Sequence, residues 1–265
     1  MKNFRNFTFT IVGIFVLFAC IFTACSQDST CEGVIEKSTV SDLEKKIQHL
    51  SENYGFSIND IKSEDSVLVA EDDIMFNVND FWDKYSLPSY TRAHYRSTNT
   101  VSSNYRTIRI TTPSYGDPNE VPTEWLYAIV NAMDAWNSLN GDIEFTLGNN
   151  YTATILIVYG YISGDTVVAR ASFPSSTTGK PGSAIAINSD CVYTLTANQK
   201  TQVMIHELGH CIGFMHTDVV GDVLLNSGDQ NTTDPNSVMQ RYVLSNPTSP
   251  YFSQYDIAAY NLLYP

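Results

Sequence analysis

The chain has 265 residues, 43% of them hydrophobic and 16% charged, the composition of a globular protein with one sizeable core or a small domain beside a larger one. Fifteen Lys and Arg stand against 28 Asp and Glu, for a formal net charge of -13. That balance excludes a nucleic-acid binder, which needs basic surface to displace counterions, and suits a solvated, soluble surface.

The first residues read as a targeting segment. Lys2 and Arg5 make a positive start, and an apolar run follows from Ile11 to Ala24, broken only by Thr23. It is short and one-sided for a membrane span and fits the core of an export signal. The run ends in Phe22-Thr23-Ala24-Cys25, which resembles a bacterial lipobox with Cys25 as the lipidated residue. Phe22 departs from the usual aliphatic residue there, Cys20 is a weaker competitor, and an ordinary secretory signal with an incidental Cys is the alternative. Either way the expectation is an exported chain, in the cell envelope (an outer-membrane lipoprotein) or secreted, touching membrane through a lipid anchor only.

Residues 26–39 are polar and read as a tether. Ser41 and Glu44 have capping-box spacing, Leu43, Ile47 and Leu50 repeat at helical intervals, and Gly55 would end that helix. Two short apolar runs, Val67–Val69 and Ile74–Phe76, flank the acidic Glu71-Asp72-Asp73. Residues 87–104 are rich in Ser, Thr, Asn and Tyr, the composition of a linker. A second unit starts near Tyr105: strands over 106–111, 143–146, 154–159, 166–173 and 184–188, with helices over 124–139 and 201–212. On the first of these helices Leu126, Ile129, Val130, Met133 and Trp136 are expected to share the buried face. The expected organisation is a signal peptide over 1–25, a region with tether and linker over 26–104, and an α+β domain over 105–265.

The chemistry concentrates in residues 206–216, which read HELGHCIGFMH. His206 and His210 lie four apart on a predicted helix, so both imidazoles face one point. Glu207 sits beside them, near enough to hold water. Gly213 tolerates positive φ, so the chain can turn there and bring His216 back as a third ligand. Three imidazoles and one open position make a catalytic zinc site rather than a closed structural one.

This motif resembles that of the metzincins, and is similar to that of the bacterial dual-action HEIGH metallopeptidases (the protease B group). The resemblance spans residues 106–265 and implies a zincin-like fold: a mixed twisted sheet with two long helices. Ala132–Asn137 is similar to the first long helix, Ala169–Pro174 to the edge strand that pairs with substrate, and residues 252–257 with 263–264 to the closing helix. Ser237-Val238-Met239 looks like the Met-turn, with Met239 as an apolar floor beneath the histidines. The resemblance implies an endopeptidase with one catalytic Zn2+ held by His206, His210 and His216; a monomer is expected. Glu207 would be the general base, and an extended peptide would pair with residues 168–172. An anchored binding protein that retains the site, or a zinc hydrolase of another bond, are the alternatives.

Departures from the family matter. Matrix-degrading relatives have a structural-zinc histidine where Arg170 stands, and only His49 and His94 are spare, so a second zinc is not expected. Astacins place a tyrosine two residues after the methionine; Tyr242, three after, is a displaced candidate for the oxyanion contact. Asp218, Asp222 and Asp229 could offer calcium hard oxygen ligands, but their spacing fits no EF-hand and solvated loop carboxylates are the expectation. Cys191 and Cys211 are expected to form a disulfide that pins the active-site helix, the alternative being a simply buried Cys211. Ala70–Ile74 resembles the astacin pro-segment pattern whose aspartate ligates the zinc, which makes Asp73 a candidate latency ligand, with Arg92 and Arg96 in the linker as release sites. The alternative is an acidic turn between two strands of an accessory domain.

Overall fold

A computed structural model describes residues 41–54, 56–86, 100–149, 154–217, 234–248 and 251–265. The export signal, Cys20, Cys25, Cys31, Gly55, Arg92, His94, Arg96, Asp218, Asp222 and Asp229 lie outside the described residues.

Helix α1 (Asp42–Tyr54) starts where the capping box requires: Ser41 N–H donates to Glu44 and Glu44 N–H to Ser41 Oγ. Strands β1 (Ile61–Glu64), β2 (Val67–Ala70) and β3 (Ile74–Asn77) form an antiparallel meander, followed by the short α2 (Phe81–Tyr85). Then come β4 (Thr107–Thr111), α3 (Thr123–Asn137), β5 (Glu144–Leu147), β6 (Ile155–Gly160), β7 (Ala169–Ser172), β8 (Ala184–Asn188), α4 (Ala197–Cys211) and α5 (Gln254–Leu263).

All eight strands belong to one mixed sheet in the order β1-β2-β3-β7-β8-β6-β4-β5. Strands β5, β4, β6 and β8 run parallel; β7 turns antiparallel to β8. The linker near Tyr105 therefore separates two stretches of sequence but not two sheets. Strand β3 adds to β7 in parallel, pairing Ile74 with Ala171 and Met75 with Ser172. The edge expected to receive an extended peptide is occupied by the chain's own N-terminal segment.

One hydrophobic cluster fills the space between the sheet, α3 and α4, and takes in α5 through Tyr260 and Leu263. The buried face of α3 is set by Trp125, Ala128, Ile129, Ala132, Met133 and Trp136, while Leu126 and Val130 are 38% and 40% exposed. The expected face is thus rotated, because Trp125, not Leu126, carries the larger apolar area into the core. A second cluster belongs to the N-terminal segment (Leu50, Phe56, Phe76, Phe81 and Tyr85 among others) and closes on Phe173 and Met215 from the other side of the linker. Phe173 is the joint: its ring lies 6.0 Å from Phe76 and 5.9 Å from His210.

Helix α4 begins four residues before the expected Thr201, at a capping box formed by Thr196 and Gln199. It ends at a Schellman turn: Gly213 N–H donates to His210 O and Phe214 N–H to Gly209 O, with Gly213 at φ +101°. That left-handed glycine reverses the chain and carries Met215 and His216 back past the helix end.

Candidate metal centre

Two turns of α4 put His206 and His210 on one face, and the Gly213 reversal brings His216 to the same point. His206 Nε2 lies 2.9 Å from His210 Nε2 and 3.2 Å from His216 Nε2. Each ring is aimed by its other nitrogen. His206 Nδ1 meets Val238 O at 2.8 Å, His210 Nδ1 meets Phe214 O at 2.8 Å, and His216 Nδ1 meets a Glu71 carboxylate oxygen at 2.8 Å. Carbonyl and carboxylate partners fix the proton on Nδ1 and turn the Nε2 lone pairs toward one another. Nitrogens converging this closely repel unless positive charge, a metal ion or a proton, lies between them.

A fourth donor completes the set. The acidic turn between β2 and β3 carries Asp73 into the site, with Oδ2 at 2.8 Å from His216 Nε2, 3.4 Å from His206 Nε2 and 3.7 Å from His210 Nε2. The four donor atoms lie within 4.8 Å of one another, the one such group among the described residues. Ligands at about 2.0–2.1 Å in a tetrahedron would be about 3.3 Å apart, so three nitrogens and one oxygen with these separations fit a zinc ion. Asp73 Oδ1 is buried without a hydrogen-bond partner, as a carboxylate aimed at a cation would be.

The electrostatics favour positive charge at the same point. Burial alone would raise the Asp73 carboxyl, but the His216 charge and the three histidine hydrogen bonds outweigh it and hold Asp73 well below the usual carboxylate range. Burial lowers His216, yet Asp73 and Glu71 together carry it up to about 10. His210, fully buried beside His206, falls to about 4. Glu207 is pushed well above the ordinary carboxyl range by burial and by the Asp73 charge; its Oε2 is buried without a partner beside the histidines.

Met239 is buried against Gly209 and Trp136, and its carbonyl accepts from Thr217 N–H at 3.0 Å. The Asp256 carboxylate on α5 accepts from Ser237 Oγ at 2.5 Å and Val238 N–H at 3.1 Å, which ties the closing helix to the carbonyl that aims His206. Tyr242 lies at the rim of the adjoining cavity, 75% exposed. That cavity, about 650 Å³, extends from Asp73, His206 and Glu207 to Arg241 and Tyr193.

Two arginines stand beside the acidic turn. Arg170 on β7 forks onto Glu64 at 2.6 and 3.1 Å and donates to Asp72 O at 2.8 Å; Arg241 donates to Glu71 at 3.1 Å. The acidic turn they hold has Glu71 at φ +56° and Asp72 at φ +74°. These are left-handed values that a glycine would meet without strain and that persist because Arg170, Arg241 and His216 hold the turn.

The expected disulfide is absent: Cys191 and Cys211 are both free. Cys211, fully buried, sits beside Gly182 just before β8, with its carbonyl accepting from Gly182 N–H at 2.8 Å, whereas Cys191 follows the other end of that strand. A strand of that length advances at about 3.3 Å per residue, which carries Cys191 beyond the ~7 Å Cα separation a disulfide can span.

The dual-action HEIGH metallopeptidase profile matches residues 68–224, more than half of the chain. The chain belongs to that family. The match starts in β2, so it takes in the acidic turn as well as the three histidines. No curated protein matches the chain. Among solved structures, one of myroilysin is similar at 15% identity over 63% of this chain and 84% of that one, with a TM-score of 0.40. A second structure of myroilysin is similar at 12% identity over 60% and 83%, with a TM-score of 0.39.

Proposed function

We propose that this metallopeptidase is an exported zinc endopeptidase held latent by its own N-terminal segment. The observation that carries the reading is Asp73 Oδ2 among the three histidine Nε2 atoms. His206, His210 and His216 would hold the ion, and Asp73 would fill its fourth position. Zinc, when bound, polarises the scissile carbonyl and acidifies water.

The chain's own residues do the rest. Glu207, beside His206 and raised by burial, accepts the proton of the attacking water and returns it to the leaving amine, because a carboxyl lifted toward neutrality serves both steps. A peptide drawn out along β7 would be aligned by the backbone groups that β3 now uses, Ala171 N–H to Asp73 O being one of them at 2.9 Å. Val238 O and Phe214 O orient the His206 and His210 imidazoles, and in the uncut chain Glu71 orients that of His216. In the uncut chain the aromatic cluster of the segment covers Phe173 and Met215.

In the latent chain two obstacles coincide: Asp73 at the histidines and β3 on the substrate edge. Cleavage within residues 87–104 would remove both. The test compares three zinc-loaded proteins on one peptide library: the uncut chain, the chain nicked in 87–104, and uncut Asp73→Ala. The nicked chain is expected to be most active, Asp73→Ala intermediate because β3 still covers β7, and the uncut chain least. Equal turnover in all three would refute latency.

A further inference from the structure

The N-terminal segment covers two arginines with carboxylates, and resting on the reading of that segment as a removable cover, we propose that the uncovered cleft selects acidic peptides. Arg170 and Arg241 would read carboxylates in the places of Glu64 and Glu71.

Arg170 is almost wholly buried in the middle of β7. Three of its hydrogen bonds go to the segment: two to the Glu64 carboxylate and one to Asp72 O. Ser163 O, at 3.2 Å, is its contact on the catalytic side. Glu71 bridges Arg241 at 3.1 Å and His216 at 2.8 Å, and Arg241 lines the cavity that continues from Glu207. The described residues hold four arginines, in a chain of net charge -13, and two of the four stand at this cleft, each facing a glutamate of the segment.

A guanidinium cannot shed its proton, so Arg170 stays charged when Glu64 leaves. A buried charge stripped of its partner is costly, and an incoming carboxylate that restores the two-pronged pair is favoured by the same amount. A peptide laid along β7 presents alternate side chains to one face of the sheet. One of them falls in reach of Arg170, and another, nearer the histidines, in reach of Arg241. A neutral side chain of equal size fills the same space and leaves the fork unpaired, which makes this a specificity determinant and not just a source of affinity. The protein's acidic surface repels such peptides at long range, so discrimination has to come from these local cations.

The experiment uses the full chain, zinc-loaded and nicked in 87–104, with labelled decapeptides in which one glutamate is walked through an Ala/Leu/Gln background and compared with its glutamine twin. Turnover is read on the wild type, and affinity by fluorescence anisotropy on nicked Glu207→Gln. At two positions the Glu peptide is expected to exceed its Gln twin by about tenfold or more in both readouts, a factor worth ~1.4 kcal/mol. Arg170→Gln removes the preference at one position and Arg241→Gln at the other, while Arg170→Lys, which keeps charge and fold but loses the fork, retains part of it. Equal affinities for every Glu/Gln pair overturn the proposal, whether or not any peptide is cut. So does a preference that persists unchanged in both glutamine variants. A failure to cut any peptide, with the affinity preference intact, would count against the peptidase reading and leave the carboxylate sites standing.

Discussion

Gly209→Ala perturbs the floor of the centre by one methyl group. A Cβ there would lie 2.6 Å from Met239 Sδ, 3.2 Å from Met239 Cε and 3.4 Å from Trp136 Cζ2. Ordinary carbon contacts are ~3.5–4.0 Å, so Met239 has to move by roughly an ångström. Overpacking of this kind costs about 1–3 kcal/mol, offset by the ~0.8–1.0 kcal/mol that alanine gains over glycine inside a helix. The net is about 0–2 kcal/mol of destabilisation, or a fall in Tm of about 2–4 °C for each kcal/mol. Moving Met239 also moves Val238, whose carbonyl aims His206, and disturbed outer partners commonly weaken metal sites about 10–100-fold. Thermal melts with and without zinc, together with a chelator competition titration, check both numbers. Met239→Ala alone opens a cavity at about 2–5 kcal/mol. The double variant should cost less than the sum, because the new methyl enters the space that Met239 leaves. A raised Tm with unchanged zinc affinity in Gly209→Ala would refute this packing argument.

Glu207→Gln should keep its zinc and lose turnover by about 10²–10⁴-fold, since the amide preserves shape and cannot take a proton; zinc content and kcat on the nicked protein check it, and near-normal turnover removes Glu207 from the mechanism. Cys191 and Cys211 should both map as free thiols, Cys191 reacting with alkylating reagent in the folded protein and buried Cys211 only after unfolding. A peptide map showing the two joined would overturn the assignment of β8 between them.

The convergence of the three histidines was legible because its geometry is local. A spacing of four on a helix and a glycine at the helix end determine where three imidazoles go. The edge strand and Met-turn were expected from resemblance; residues 169–172 form β7, and Met239 is buried. Asp73 was half legible: the acidic cluster is plain in the sequence, but its reach depends on β3 pairing with β7, a contact across nearly 100 residues that no periodicity encodes. A turn between two strands, β2 and β3, is what carries the Asp73 carboxylate to the histidines. Arg170 and Arg241 were invisible as partners because ion pairs over such separations leave no pattern. Thr196 and Gln199 carry the capping signal that starts α4, ahead of the apolar run that marks the rest of the helix. The disulfide failed because two cysteines in one unit say nothing about which ends of a strand they occupy.

Zinc content tests the central claim most directly. Metal analysis of the purified full-length chain and of His210→Ala should find about one zinc per chain in the first and a small fraction of that in the second, because removing one of three imidazoles opens the site. A wild-type chain that takes up no zinc, or a His210→Ala chain that holds as much as wild type, would contradict the assignment of His206, His210 and His216 as the metal centre.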